Sequence, residues 1–262
     1  MKHRIFWGVA IIVLGVFFLL AGMYDLDVWR FLWPSLLIIA GIWFLLVPAF
    51  ARQDMTKAEK YTFPLEGIEK AIVHIEYGAG LIKISPLNSK EKLLSGEFLG
   101  GVYPRVARIG DRVRVVLKSK AEFFNVLPRF TAGKGLNWDL RINQAVPLTL
   151  KIESGASENQ LDLTEMQVHE LKLKTGASST QINLPKNAGY TKVKVESGAA
   201  SLEIHIPKDT AARIHVKGLV TKEINRKRFP LRGNYYQSED YESAKNRVEI
   251  QVESGLGSVE IK

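Results

Sequence analysis

The chain has 262 residues, of which 46% are hydrophobic and 24% are charged, so its composition is that of a folded protein and excludes a wholly disordered chain. It contains no cysteine, which excludes disulfides, thiolate metal sites and cysteine nucleophiles. Its 36 basic and 27 acidic residues give a net charge of +9. Such an excess points to an anionic partner, which can be nucleic acid, a membrane surface or an acidic protein.

Two uncharged segments near the N-terminus predict a membrane anchor. Residues 5–24 and 31–51 contain no charged side chain. A helix of about 20 residues is about 30 Å long, which is the thickness of the hydrocarbon core of a bilayer. A short polar segment, residues 25–30, separates the two. We therefore interpret residues 1–51 as a transmembrane α-helical hairpin, in preference to a signal peptide followed by a buried helix.

The distribution of basic residues predicts the orientation of this hairpin. The connecting loop carries a single basic residue, Arg30. The outer flanks carry Lys2, Arg4, Arg52, Lys57 and Lys60. Because basic flanks are retained on the cytoplasmic side, both termini and the rest of the chain are predicted to be cytoplasmic.

The remainder of the chain is predicted to be a linker followed by an all-β domain. Residues 52–67 are polar and include a proline, which is typical of a linker. From residue 68 to residue 262 the chain alternates apolar and polar residues with frequent glycine, which is the pattern of β-strands.

Within residues 68–262 one short motif returns five times, with a glycine at its centre and apolar residues three positions before and six positions after it. The central glycines are Gly78, Gly155, Gly176, Gly198 and Gly255. The three middle ones are 21 and 22 residues apart, which suits one turn of a β-solenoid and is too short for a propeller blade. We therefore predict a β-solenoid of stacked parallel rungs, each rung being an apolar strand, a glycine corner and a second apolar strand.

The repeat also predicts details of this stack. Glycine is expected to supply a corner conformation that other residues avoid. If the rungs are in register, Lys174 lies between Glu153 and Glu196 on neighbouring strands. The first and last repeats are 77 and 57 residues from their neighbours, so they are expected to carry insertions or to pack as caps.

No catalytic or cofactor motif accompanies the repeat. The five histidines form no H-x-x-H pair, and the serines that precede the corner glycines are interpreted as turn residues. Neither a Walker loop nor a dinucleotide-binding fingerprint is present. We therefore expect no cofactor, no metal site and no enzymatic activity.

One basic stretch, residues 217–232, departs from the repeat because it holds six basic residues and one acidic residue. It is either a solvated insertion between the last two rungs or a contact surface for an anionic partner. The candidate contact residues are Lys217, Lys222, Arg226, Lys227, Arg228 and Arg232. For a tethered cytoplasmic domain the predicted partner is the inner leaflet or an acidic patch on a membrane protein. Nucleic acid is not expected, since no recognition helix or base-stacking module accompanies the stretch.

Several of these segments resemble a known family. The pattern FWGV…GV at 6–16 and the segment WRFLWPSLLIIAG at 29–41 resemble the LiaI–LiaF-type transmembrane region of bacteria. The motif IEYGAG at 75–80, the repeated ESGA and KTGA, and the segment from Tyr236 to the final GLGSVEI resemble the toast-rack domain of LiaF-like proteins.

The resemblance implies a bacterial membrane protein of a family in which some members restrain a sensor kinase during cell-envelope stress. It implies no catalytic residues. We therefore expect a membrane-anchored regulatory or interaction module, with the lipid bilayer and a membrane protein such as a sensor kinase as candidate partners. The alternative is a structural or adhesive envelope scaffold whose β domain lies outside the cytoplasm.

Overall fold

The computed structural model describes residues 37–38, 58–120 and 136–262. Residues 58–120 and 136–262 belong to one compact unit, which runs from Asp54 to Lys262. Within the described part of the chain, no helix combines the length and apolar character needed to cross a membrane. Apart from residues 37–38, the two predicted membrane segments lie outside the described residues.

The described part of the compact unit is all-β, and its 13 strands form one sheet that is mostly parallel. The strands are β1 (Ala58–Pro64), β2 (Lys70–Leu87), β3 (Lys92–Leu99), β4 (Val102–Ile109), β5 (Arg112–Ser119), β6 (Leu136–Asn143), β7 (Leu148–Asp162), β8 (Val168–Asn183), β9 (Tyr190–His205), β10 (Ala211–Ile224), β11 (Leu231–Arg232), β12 (Tyr235–Gln237) and β13 (Arg247–Ile261).

Six long parallel strands stack as rungs in the order β2, β7, β8, β9, β13 and β10, and the first five of them carry the five predicted repeats. The pairing aligns the corner glycines: Tyr77 pairs with Ser154 before the glycine, and Ala79 pairs with Ala156 after it. The same alignment continues through β8, β9 and β13. The stacked parallel arrangement predicted from the repeat is therefore confirmed.

The core lies between the two halves of each bent strand. The residue three positions before each corner glycine is buried in all five repeats, and so is the residue six positions after it. These buried residues are Ile75, Ile152, Leu173, Val195, Val252, Ile84, Leu161, Ile182, Ile204 and Ile261. Each such side chain contributes about 1.5–3 kcal/mol when it is buried. The alternation of apolar and polar residues is thus what fixes the register of the stack.

The corner glycines are required for a different reason from the one expected. Gly155, Gly176 and Gly198 do not have positive φ angles. Instead, a Cβ on Gly176 would lie 2.7 Å from the carbonyl oxygen of Gly155, and a Cβ on Gly198 would lie equally close to that of Gly176. Successive rungs therefore approach each other too closely at the corner for any side chain.

A rung that is split into two strands pairs with the edge of β2 opposite β7. β5 pairs with the first half of β2, and β6 pairs with its second half. Trp138 of β6 packs between Tyr77 of β2 and Phe98 of β3, with ring centroids 4.9 Å apart in both pairs. These buried aromatic rings fill this end of the core. The expectation that the first repeat carries an insertion is confirmed, since β3 to β6 lie between β2 and β7 in the chain.

The β domain begins earlier than the sequence suggested. β1 lies inside the predicted linker 52–67, and it pairs antiparallel with β3. Glu59 on β1 accepts a hydrogen bond from the Val102 amide and pairs with Lys120 at 2.7 Å. Polar composition alone concealed this strand, because only every second residue of β1 faces the protein.

The charged rows on the outer face follow the predicted register, but the ion pair of Glu196 lies within its own strand. Lys174 lies between Glu153 and Glu196, as expected. Glu196 nevertheless pairs at 2.5 Å with Lys194 of its own strand. Hydrogen bonding between the two lowers the pKa of Glu196 and raises the pKa of Lys194. Both groups are exposed, so the pair stabilises the fold only weakly.

Candidate interaction surface

The first half of the basic stretch belongs to a sixth rung, β10, which differs from the prediction that the repeat lapses there. β10 pairs in parallel with β13 from Ala211 to Ile224. The register shifts at the corner, where Gly218 pairs with Ser254 and the next residue, Leu219, pairs with Leu256. Gly218 has a φ of +121°, and a Cβ there would overlap the carbonyl oxygen of Ser254. Glycine is thus required at this position by conformation and by space.

β10 is covered along its first half and open along its second half. β12 pairs with Arg213 and Ile214, and the Ser238 side chain accepts a hydrogen bond from the Ala212 amide. Among the described residues, no strand lies on the outer side of Leu219–Ile224. Lys222 donates a hydrogen bond at 2.7 Å to the carbonyl oxygen of Val216. The parallel stack therefore ends in an open strand edge.

Five of the six predicted contact residues are exposed around this edge. Lys217 is 63% exposed and lies 4.0 Å from Glu253 on the neighbouring rung. Arg226 and Lys227 lie in the turn after β10, and Arg232 lies on β11. These last three side chains form no hydrogen bond or ion pair with any other described residue. They remain available to an outside partner.

Arg228 occupies a different environment. Its half-buried guanidinium donates hydrogen bonds to the carbonyl oxygens of Ile206 at 2.7 Å and Thr210 at 3.0 Å, and also to that of Pro207. It lies 4.8 Å from the ring centroid of the fully buried Phe229. Burial lowers the pKa of Arg228. Its hydrogen bonds join the turn after β10 to the loop after β9. Arg228 is therefore occupied by contacts within the domain and is not a free contact residue.

Two exposed leucines lie beside the open edge, and the sequence analysis did not identify them. Leu219 is 79% exposed and its neighbour Leu256 is 59% exposed. At the same register position the other rungs carry alanine, namely Ala79, Ala156, Ala177 and Ala199. The signal was present in the sequence, since VKGLVTKEI at 216–224 matches VESGLGSVEI at 252–261 once one residue is omitted.

A shallow cleft of about 620 Å³ runs along the corner glycines next to this edge. Its charged lining residues are Lys174, Glu196, Lys217 and Glu253. Two corner serines bind locally, as interpreted from the sequence: Ser154 contacts the Ser157 hydroxyl at 2.8 Å, and Ser254 donates a hydrogen bond to the carbonyl oxygen of Leu256 at 3.1 Å. The buried hydroxyl of Ser197 has no hydrogen-bond partner among the described residues. Within the described residues, no group of three or more histidines and carboxylates is placed to hold a metal ion.

Comparison with protein families agrees with the geometry of the stack. The family model for the N-terminal domain of toast_rack matches residues 52–205, which is more than half of the chain. The chain belongs to the toast-rack family. The model for the LiaI-LiaF-like transmembrane region matches residues 5–45. This toast-rack protein is therefore a membrane protein of the LiaF-like type.

One solved structure shows the same fold. A candidate cell adhesion protein from Clostridium sporogenes has a TM-score of 0.71 and 23% identity, covering 79% of this chain and 98% of its own. A candidate adhesin from Bacteroides fragilis has a TM-score of 0.23 and 8% identity, covering 80% of this chain and 99% of its own. Its TM-score is too low to indicate a shared fold. No curated protein matches the chain.

Proposed function

We propose that this protein is a membrane-anchored, non-catalytic interaction module that acts in the regulation of bacterial cell-envelope stress. The observation that carries this proposal is the presence of a LiaI-LiaF-like transmembrane region and a toast-rack domain in one chain. The outer face of the described rungs supports it, because equivalent positions repeat similar solvated side chains. An enzyme would instead need unlike polar groups that converge in a pocket.

The basic surface around β10 is the proposed contact region. Its exposed cations are Lys217, Lys222, Arg226, Lys227 and Arg232. The proposed partners are the bilayer and a membrane protein such as a sensor kinase, both on the cytoplasmic side. The excess of basic residues on the outer flanks of the predicted hairpin supports that orientation.

A topology measurement tests this orientation. A reporter that is active only in the cytoplasm is fused after residue 262, and a reporter that is active only outside it is fused at the same site. We expect activity from the first fusion alone. Activity from the second fusion alone would favour the alternative function, an adhesive or structural scaffold, which the description of the Clostridium sporogenes structure also suggests.

A genetic measurement tests the regulatory role. Deletion of the gene is expected to change the output of an envelope-stress reporter when the cells meet a wall-active or membrane-active agent. Complementation with the full chain is expected to restore it. An unchanged response in the deletion strain, across such agents, would contradict the proposed regulation even if the topology result were as expected.

A further inference from the structure

We propose that the open edge of β10, Leu219–Ile224, accepts an extended segment of a partner protein as an added β-strand, and that this segment carries carboxylates and apolar side chains. This proposal rests on the proposed function as an interaction module and names the class of partner and its mode of binding.

The backbone of the open edge supports strand addition. In an edge strand, every second residue directs its N–H and C=O groups away from the sheet, where they are unpaired until another strand adds. β10 pairs on its inner side with β13 over its whole length, so the edge is held rigidly. β12 covers only Arg213 and Ile214 on the outer side. Leu219–Ile224 is long enough for several main-chain hydrogen bonds to one added strand.

The side chains beside the edge indicate what the added strand carries. Leu219 and its neighbour Leu256 expose adjacent apolar surface at the corner, which favours apolar side chains in the partner. Lys217 lies two residues before the open edge, Lys222 lies within it, and Arg226 and Lys227 follow in the turn. Glu223 is the only acidic residue between residues 217 and 232. The excess of positive charge favours carboxylates in the partner.

The same charges disfavour a second copy of this chain as the occupant. If the open edges Leu219–Ile224 of two copies paired antiparallel in full overlap, Lys217 of one copy would face the turn that carries Arg226 of the other, and like charges that face each other are destabilising. An anionic membrane would satisfy the charges, but it would leave the outward backbone groups without strand partners. An extended acidic and apolar segment uses the backbone, the leucines and the cations together.

A peptide that alternates valine and glutamate is the probe for this edge. The full chain is placed in nanodiscs of neutral lipid, and binding of the labelled peptide is measured by fluorescence anisotropy at low salt. Two further peptides carry N-methyl groups on alternate residues, one set on each edge of the strand. Because an added strand hydrogen-bonds through one edge only, one methylated peptide is expected to lose about tenfold or more in affinity while the other binds nearly as well as the parent.

Matched variants locate the binding on the protein. Lys217→Gln with Lys222→Gln, and separately Leu219→Ser, are each expected to weaken peptide binding severalfold. The control pair Lys83→Gln with Lys90→Gln removes two exposed cations from the other end of the stack and is expected to leave binding unchanged. Hydrogen exchange on the unmodified chain gives a readout that needs no variant: the bound peptide is expected to protect amides of Leu219–Ile224.

Four results would overturn the proposal: no binding of the parent peptide, equal binding of both methylated peptides, protection confined to another strand, or binding to anionic vesicles without any binding to the peptide. The last result would assign the basic surface to lipid. If the deletion strain still shows an altered stress response and the topology is cytoplasmic, the proposed function stands and only the strand-addition proposal fails.

Discussion

The guanidinium of Arg228 donates a hydrogen bond to the carbonyl oxygen of Ile206 across a separation of 22 residues. Together with its bonds to the carbonyl oxygens of Pro207 and Thr210, this contact fastens the turn after β10 to the loop between β9 and β10. The neighbouring Phe229 is fully buried and holds the turn against the core. A residue that looks like part of a basic contact patch is therefore a structural connection at the end of the stack.

Arg228→Lys is expected to destabilise the compact unit 54–262 by about 2–3 kcal/mol, because one ammonium cannot replace a guanidinium that serves several carbonyl groups. Arg226→Lys, in the same turn, is the matched control and is expected to change stability by less than about 0.5 kcal/mol. Urea unfolding followed by circular dichroism measures both. Equal stability of the two variants would show that the Arg228 contacts contribute little.

Truncation of the core of the central rungs is expected to be costly. Leu173 and Ile182 lie on the two halves of β8 and are buried. Leu173→Ala and Ile182→Ala should each reduce the free energy of unfolding by about 2–5 kcal/mol. Lys174→Ala, an exposed change in the same strand, should cost less than about 1 kcal/mol. Small and equal effects at all three positions would contradict the stacked-rung core.

Gly176→Ala tests the close approach of the rungs at the corner. The added methyl group would lie 2.7 Å from the carbonyl oxygen of Gly155, so the rungs must shift apart. We expect a loss of about 1–3 kcal/mol, as for other overpacked sites. Ala177→Ser changes the adjacent exposed residue and should be nearly neutral. Thermal unfolding of both variants measures the effect. A Gly176→Ala protein as stable as the unmodified protein would show that the corner can accommodate a methyl group.

The ion pair at the start of the sheet predicts a pH dependence. Lys120 and the Val102 amide hydrogen-bond Glu59 and hold the pKa of Glu59 below its ordinary value. A carboxyl group with a lowered folded-state pKa stabilises the protein above its unfolded pKa of about 4.3, and this stability is lost as the pH falls through the folded value. Because the pair is partly exposed, the contribution is expected to be under about 1 kcal/mol.

Glu59→Gln is therefore expected to lower stability near neutral pH and to flatten the decline of stability in acid. Glu66→Gln, an exposed change in the turn after β1, serves as the control and should leave the profile unaltered. Chemical unfolding at a series of pH values measures the effect. A Glu59→Gln profile that is parallel to that of the unmodified protein would argue against the pair as a source of acid sensitivity.

The sequence predicted the central rungs because buried aliphatic residues and corner glycines recur there at a nearly constant period. It did not reveal β10 as a rung, since omission of one residue at Gly218 breaks the alignment with β13. The split rung formed by β5 and β6 was missed for a similar reason, because residues 120–135 separate its two halves. A periodic signal identifies repeats that keep their length, whereas insertions and deletions at a corner remove it.

The candidate surface was predicted only in outline. The composition of residues 217–232 identified a basic region, but composition does not show which cation points inward. Phe229 is buried under the end of the stack, and this anchor directs Arg228 toward the carbonyl groups of the preceding loop. Leu219 was overlooked because exposed leucine is common on protein surfaces and becomes informative only beside Leu256 and an open edge.

The order of the rungs has a consequence for synthesis of the chain. β13 lies between β9 and β10 in the sheet, although it is translated after both of them. When β10 leaves the ribosome, the strand on which it must pair has not yet emerged. Until β13 emerges, the nascent chain carries an unpaired β9 edge and an undocked β10, and such edges are prone to association with other chains. The end of the stack can therefore close only late, and a chaperone that shields strand edges would act during this interval.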